Sequence, residues 1–108
     1  MDKKTDWKSI PLLNNDSSAK KRFELHIDGQ IAFLDYIISK KEIIYLTHTE
    51  VPKVLEGKGV GGALVSKVLE HIKEQEIKMA PLCPFVVVYL KRHPELAEGI
   101  LAPGYSIG

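Results

Sequence analysis

Four of the eight glycines fall in one short stretch, Glu56-Gly57-Lys58-Gly59-Val60-Gly61-Gly62, between a β-type run and an amphipathic helical run. Glycine costs about 1 kcal/mol relative to alanine inside a helix, so four of them at a helix start need a reason. Anion binding is one: without Cβ atoms the loop brings several backbone N–H groups close to a phosphate, and the helix dipole adds positive potential at the same point. The competing reading is a tight turn packed on a neighbouring strand, which accounts for one or two glycines more readily than for four.

Glycines 57, 59 and 62 spell G-x-G-x-x-G, the dinucleotide-binding pattern, which expects a carboxylate about twenty residues further on. The segment following the helix, Ile77-Lys78-Met79-Ala80-Pro81-Leu82, has none. The chain is also too short for repeated βαβ units beside the hairpin-linked strands that precede the loop. A Walker loop needs Gly-Lys followed by Ser or Thr, whereas Gly57-Lys58 is followed by Gly59.

The 108 residues, 44% hydrophobic and 27% charged, suit one domain with a modest core. Fifteen basic residues against fourteen acidic ones give a net charge of +1, so no global field favours nucleic acid or an anionic membrane. The single cysteine, Cys83, cannot form an internal disulfide, and no zinc-type ligand set accompanies it. With no signal-like or membrane-spanning run, the expectation is a cytoplasmic protein, a monomer or weak dimer, without a metal.

Residues 1–20 are polar apart from Trp7 and Ile10-Pro11-Leu12-Leu13, and read as a mobile arm. From Arg22, the apolar Phe23, Leu25 and Ile27 alternate with Glu24, His26 and Asp28, the period of a half-buried strand. Asp28-Gly29 signals a tight hairpin into Gln30 to Ser39, and Lys40-Lys41 marks a second turn before Glu42 to Thr49. His26 reads as a surface side chain.

Strict alternation in the third of these strands places Ile44, Leu46, His48 and Glu50 on one face, and Tyr45, Thr47, Thr49 and Val51 on the other. A carboxylate beside an imidazole sets its orientation and basicity, so His48 and Glu50 form a candidate general base for deprotonating an amine. Val60, Leu64, Val65, Val68, Leu69 and Ile72 recur at helical spacing, predicting a helix that ends near Glu76, with His71 on its polar part. Ile77 to Leu82 then returns as a strand parallel to the one entering the loop. Pro84 suits the first turn of a second helix, Phe85 to Arg92, although its valine-rich run is also strand-like. Residues 97–108 are read as a tail that either packs through Ile100, Leu101 and Tyr105 or hangs free.

Glu56-x-x-Gly59-x-Gly61 resembles the Q/R-x-x-G-x-G/A signature of the GNAT superfamily of acetyl-CoA-dependent N-acetyltransferases, with Glu56 departing from the usual Gln or Arg. Together with His48 to Pro52, Pro81-Leu82-Cys83-Pro84-Phe85 and Arg92-His93-Pro94-Glu95, it is similar to the small single-domain YjdJ-type branch. The resemblance implies an α/β fold over residues 21–96: a mixed sheet of about four strands, antiparallel first, with a parallel pair around the glycine-loop helix. It also implies that the pyrophosphate of coenzyme A sits on the backbone of Lys58 to Ala63, drawing on Glu56, Gly57, Lys58, Gly59, Val60, Gly61, Gly62 and Ala63. The pantetheine arm would enter a gap beside Thr49, Glu50 and Val51, bringing the thioester near His48 and Cys83. Tyr89 is a lesser candidate, as proton donor to the leaving thiolate. The implied activity is acetyl transfer to an unidentified amine, of a small molecule or a peptide, either directly or through Cys83; the alternative is a coenzyme A-binding module without turnover.

Overall fold

Alternating apolar side chains in the first half of the chain make one sheet face, and the helical stripe after the glycine loop covers it. The computed structural model describes residues 10–16 and 21–106. The expected arm therefore lies outside the described residues at 1–9 and 17–20, Trp7 included. The elements are β1 (Leu13–Asn15), β2 (Lys21–Ile27), β3 (Gln30–Ile38), β4 (Ile43–Glu50), α1 (Val60–Glu74), β5 (Lys78–Pro81) and α2 (Pro84–Arg92). The strands lie in chain order across one sheet, antiparallel from β1 to β4, with β5 parallel to β4. Short 3₁₀ turns at Lys53–Leu55 and Pro94–Ala97 follow β4 and α2.

Asp28 and Gly29 both take positive φ, 50° and 79°, the primed turn that matches strand twist. In the next turn the Ser39 hydroxyl accepts the N–H groups of Lys41 and Ile43, each at 3.2 Å. Phe23, Leu25 and Ile27 of β2, Ala32, Leu34 and Tyr36 of β3, and Ile44 and Leu46 of β4 form the buried face. Val60, Leu64, Val65, Val68, Leu69 and Ile72 of α1 complete the core, and α2 joins it through Val86 and Leu90. Each such side chain contributes about 1.5–3 kcal/mol when fully withdrawn from water, which is why α1 stays helical despite its opening glycines.

The sheet has five strands where about four were expected. The added strand β1 does not bury an alternating apolar set, as all three residues are exposed. Polar side chains tie it down instead: Tyr36 donates its hydroxyl to Asn14 Oδ1 at 2.6 Å, and Asn15 Nδ2 donates to Glu24 Oε2 at 3.1 Å. The tail packs at the other edge, where Met79 N–H donates to Ile100 O at 2.7 Å and Ala102 N–H to Met79 O at 2.8 Å. This short parallel bridge covers an edge that would otherwise be an open pairing site. His71 is half-buried rather than solvated, its ring edge-on to Phe23 at 5.4 Å between centroids.

Candidate functional site

The register between β3 and β4 slips at one point: Leu46 faces Tyr36 and His48 faces Asp35, so Thr47 is an additional residue. Such a bulge turns every later side chain to the opposite face and bends its strand. Strict alternation is therefore corrected. His48 and Glu50 do share a face, but it is the outer one with Asp35 and Phe33, while Thr49 joins Ile44 and Leu46 on the core side opposite Leu34. The Thr47 hydroxyl donates to Asp35 O at 3.2 Å and helps hold the bulge.

Beyond the bulge, β4 and β5 part. Their parallel register stops at Leu46 and Pro81, and the Leu46 carbonyl accepts both the Leu82 and Cys83 N–H groups, at 3.0 and 2.8 Å. Pro84 then starts α2 and carries the chain out of the sheet, whereas β4 runs on to Glu50 with no β5 residue paired beside it. At the fork, Cys83 Sγ lies 3.3 Å from Thr49 Oγ1, with the cysteine only 3% exposed.

The glycine loop follows at the end of β4. Gly57 and Gly59 have φ of 78° and 83°, a left-handed conformation costing a side-chain-bearing residue about 1–2 kcal/mol. Gly59 caps α1 without a side-chain hydrogen bond, and no acidic residue stands in the first turn. Ala63 N–H donates to Gly59 O at 3.0 Å and is thereby used within the helix, so the orphan donors of this turn are those of Val60, Gly61 and Gly62. Gly61 and Gly62 have a different reason to lack a side chain. A Cβ on Gly61 would lie 2.6 Å from Phe85 Cζ, and one on Gly62 would lie 3.0 Å from Tyr89 Cε1. The four glycines thus divide into two pairs, Gly57 and Gly59 required by backbone conformation and Gly61 and Gly62 by close packing against α2.

Two adjoining hollows join these parts. One, of about 210 Å³, is lined by Val51, Leu55, Glu56, the glycine-loop backbone and Phe85; the other, of about 350 Å³, by Thr49, Glu50, Val51, Glu56 and Phe85. Thr49, Glu50, Val51, Glu56, Gly57, Gly59, Val60, Gly61 and Gly62 are therefore brought together. Cys83 lies behind Thr49, Tyr89 packs against Gly62 and His93, and neither lines these hollows, nor do Lys58, Ala63 and His48. His48 stands next to the second hollow, its Nε2 2.7 Å from Glu50 Oε1, with both side chains 58% exposed. Phe85, read in the sequence as a helix residue and part of the family-like segment but not as a site residue, lines both hollows.

On the outer face, Arg22 Nε donates to Asp35 Oδ1 at 2.9 Å, and its guanidinium lies 3.8 Å from the Phe33 ring centre. A hydrogen bond with His26 at 2.7 Å holds the Glu24 carboxyl below its ordinary pKa, against its partial burial, with smaller help from Asn15 and Arg22. Burial raises Tyr36, although its bond to Asn14 opposes the shift. Among the described residues no three His, Cys, Asp or Glu side chains gather as a metal site, and no helix is long and apolar enough to cross a membrane.

The parallel pair β4–β5 thus opens beside a glycine-rich helix start without a side-chain cap. The family model described as GCN5-related N-acetyl-transferase matches residues 22–99, and the chain belongs to this family. Among curated proteins it is similar to Protein NATD1 of Mus musculus and of Gallus gallus, each 28% identical over 86 residues that cover 78% of both chains. Protein NATD1 of Homo sapiens is 28% identical over 86 residues, covering 78% of this chain and 76% of its own.

Proposed function

We propose that the protein transfers an acetyl group from acetyl-CoA to an amine. The observation that carries this reading is the fork between β4 and β5, which opens directly beside the orphan N–H groups of Val60, Gly61 and Gly62. Bound there, acetyl-CoA supplies an activated acyl group whose C–S bond is broken by the amine. Three uncapped N–H groups and the helix dipole suit a pyrophosphate. The free edge of β4 at Thr49 to Val51 suits the amides of a pantetheine arm, which need partners when they leave water.

The chain's own groups then handle protons. With Nε2–H donated to Glu50, neutral His48 keeps Nδ1 as an acceptor, and Glu50 stabilises the imidazolium that forms when the amine loses its proton. Direct attack by the amine is the route adopted. Cys83 is nearly sealed from solvent and lies behind Thr49, so its place is the floor of the fork. The expected localisation remains cytoplasmic, with the donor and an amine as partners.

Binding is tested by thermal unfolding: acetyl-CoA raises Tm by mass action, and pantetheine, which lacks the phosphates, raises it much less. Equal shifts would show that the glycine loop is only a turn.

A further inference from the structure

We infer that Phe85 is the residue that selects the pantetheine-bearing ligand over its nucleotide half; this rests on the function proposed above. Phe85 is one of three residues shared by the two hollows, with Val51 and Glu56, and the only aromatic among them. On one side of it lies the glycine-loop hollow, on the other the hollow reaching Thr49 and Glu50. A ligand that puts phosphates on the first and a thioester at the second crosses Phe85 with the arm that joins them.

The ring is placed for that contact. It packs against Gly61, close enough that a Cβ there would fall 2.6 Å from Cζ, so one edge of the ring rests on the start of α1. Yet it is 44% exposed, and Val88, one turn further along α2, is 51% exposed. A large apolar ring left in water at the rim of a groove gains by being covered, and the methyl-bearing, amide-linked arm of pantetheine has the apolar surface to cover it. The phosphates, by contrast, meet backbone N–H groups and make no demand on the ring.

The test compares coenzyme A with its nucleotide half, the phosphates without the arm, by calorimetric titration of wild type, Phe85→Ala and Phe85→Leu. Coenzyme A is expected to bind Phe85→Ala roughly tenfold more weakly and Phe85→Leu at an intermediate strength, as the apolar area falls. The nucleotide half is expected to bind all three alike. Equal weakening of both ligands would reduce Phe85 to a prop for the glycine loop, and unchanged coenzyme A binding would remove it from the site; either overturns the proposal. Circular dichroism identifies a misfolded Phe85→Ala, in which case Phe85→Leu alone decides. Failure of wild type to bind either ligand would instead overturn the proposed function.

Discussion

Gly61→Ala separates packing from binding, because its effects on the two can be worked out independently. A methyl group there meets Phe85 at 2.6, 3.2 and 3.4 Å. To restore ordinary carbon contacts of ~3.5–4.0 Å the tip of the ring must retreat by roughly 1 Å. The ring is 44% exposed, so it can turn toward solvent at an off-rotamer cost of about 0.5–1.5 kcal/mol. Alanine recovers up to about 1 kcal/mol of helix propensity over glycine. The two nearly cancel, leaving stability within about 1 kcal/mol of wild type and Tm within about 4–8 °C. The displaced ring now stands in the groove, so the rise in Tm on adding acetyl-CoA should largely disappear. Gly59→Ala is the contrast: with φ of 83° it strains the backbone and loses about 1–2 kcal/mol before any ligand is added. Thermal unfolding of both variants with and without acetyl-CoA reads all four quantities. A Gly61→Ala protein that loses well over 10 °C, or that keeps the full ligand-induced rise, would refute the reasoning.

His48→Ala is expected to lower kcat by about 10²–10⁴ and to alter the acidic limb of the pH profile while acetyl-CoA affinity holds; an unchanged profile removes His48 from proton transfer. Cys83→Ala should retain most of the turnover, and wild type incubated with acetyl-CoA alone should carry no acetyl group by intact mass; an adduct that discharges onto an amine at the turnover rate would establish the covalent route. Glu56→Gln removes a negative charge from both hollows and should tighten acetyl-CoA by a few-fold, about 0.3–1 kcal/mol, with the gain fading in high salt. Glu24 is held below its ordinary pKa chiefly by His26, so its contribution to stability is full above the ordinary glutamate range and is lost as pH falls through the lowered value. Denaturant melts across acidic pH should accordingly show a shallower loss in Glu24→Gln than in wild type.

Much of the fold was legible because its signals are periodic. Phe23, Leu25 and Ile27, the Asp28-Gly29 turn, and the α1 stripe from Val60 to Ile72 all became what their spacing predicted. The glycine loop, too, lies beside the opened strands as the family resemblance implied. Three features were not legible, for separate reasons. The bulge at Thr47 leaves no mark in an alternating run, since Ile44 to Glu50 reads equally well without it; only pairing with β3 reveals that His48 and Thr49 have exchanged faces. Strand β1 is secured by Asn14 and Asn15 side chains rather than by apolar alternation, so its sequence looks like loop. Phe85 belongs to the site through its contact with Gly61, twenty-four positions earlier, and no local pattern encodes such a pairing. The sequence did mark the glycines and offered two readings for the cluster as a whole, whereas Gly57 and Gly59 answer to backbone φ and Gly61 and Gly62 to neighbouring rings.

Acetyl transfer is tested most directly by mixing the protein with acetyl-CoA and a panel of amines and lysine-containing peptides, following free thiol and acetylated product together by mass spectrometry. Coenzyme A and an acetylated amine are expected in equal amounts, formed only with the protein and slowed by His48→Ala. Tight binding of acetyl-CoA with neither product formed across the panel would contradict acetyl transfer and leave a coenzyme A-binding module.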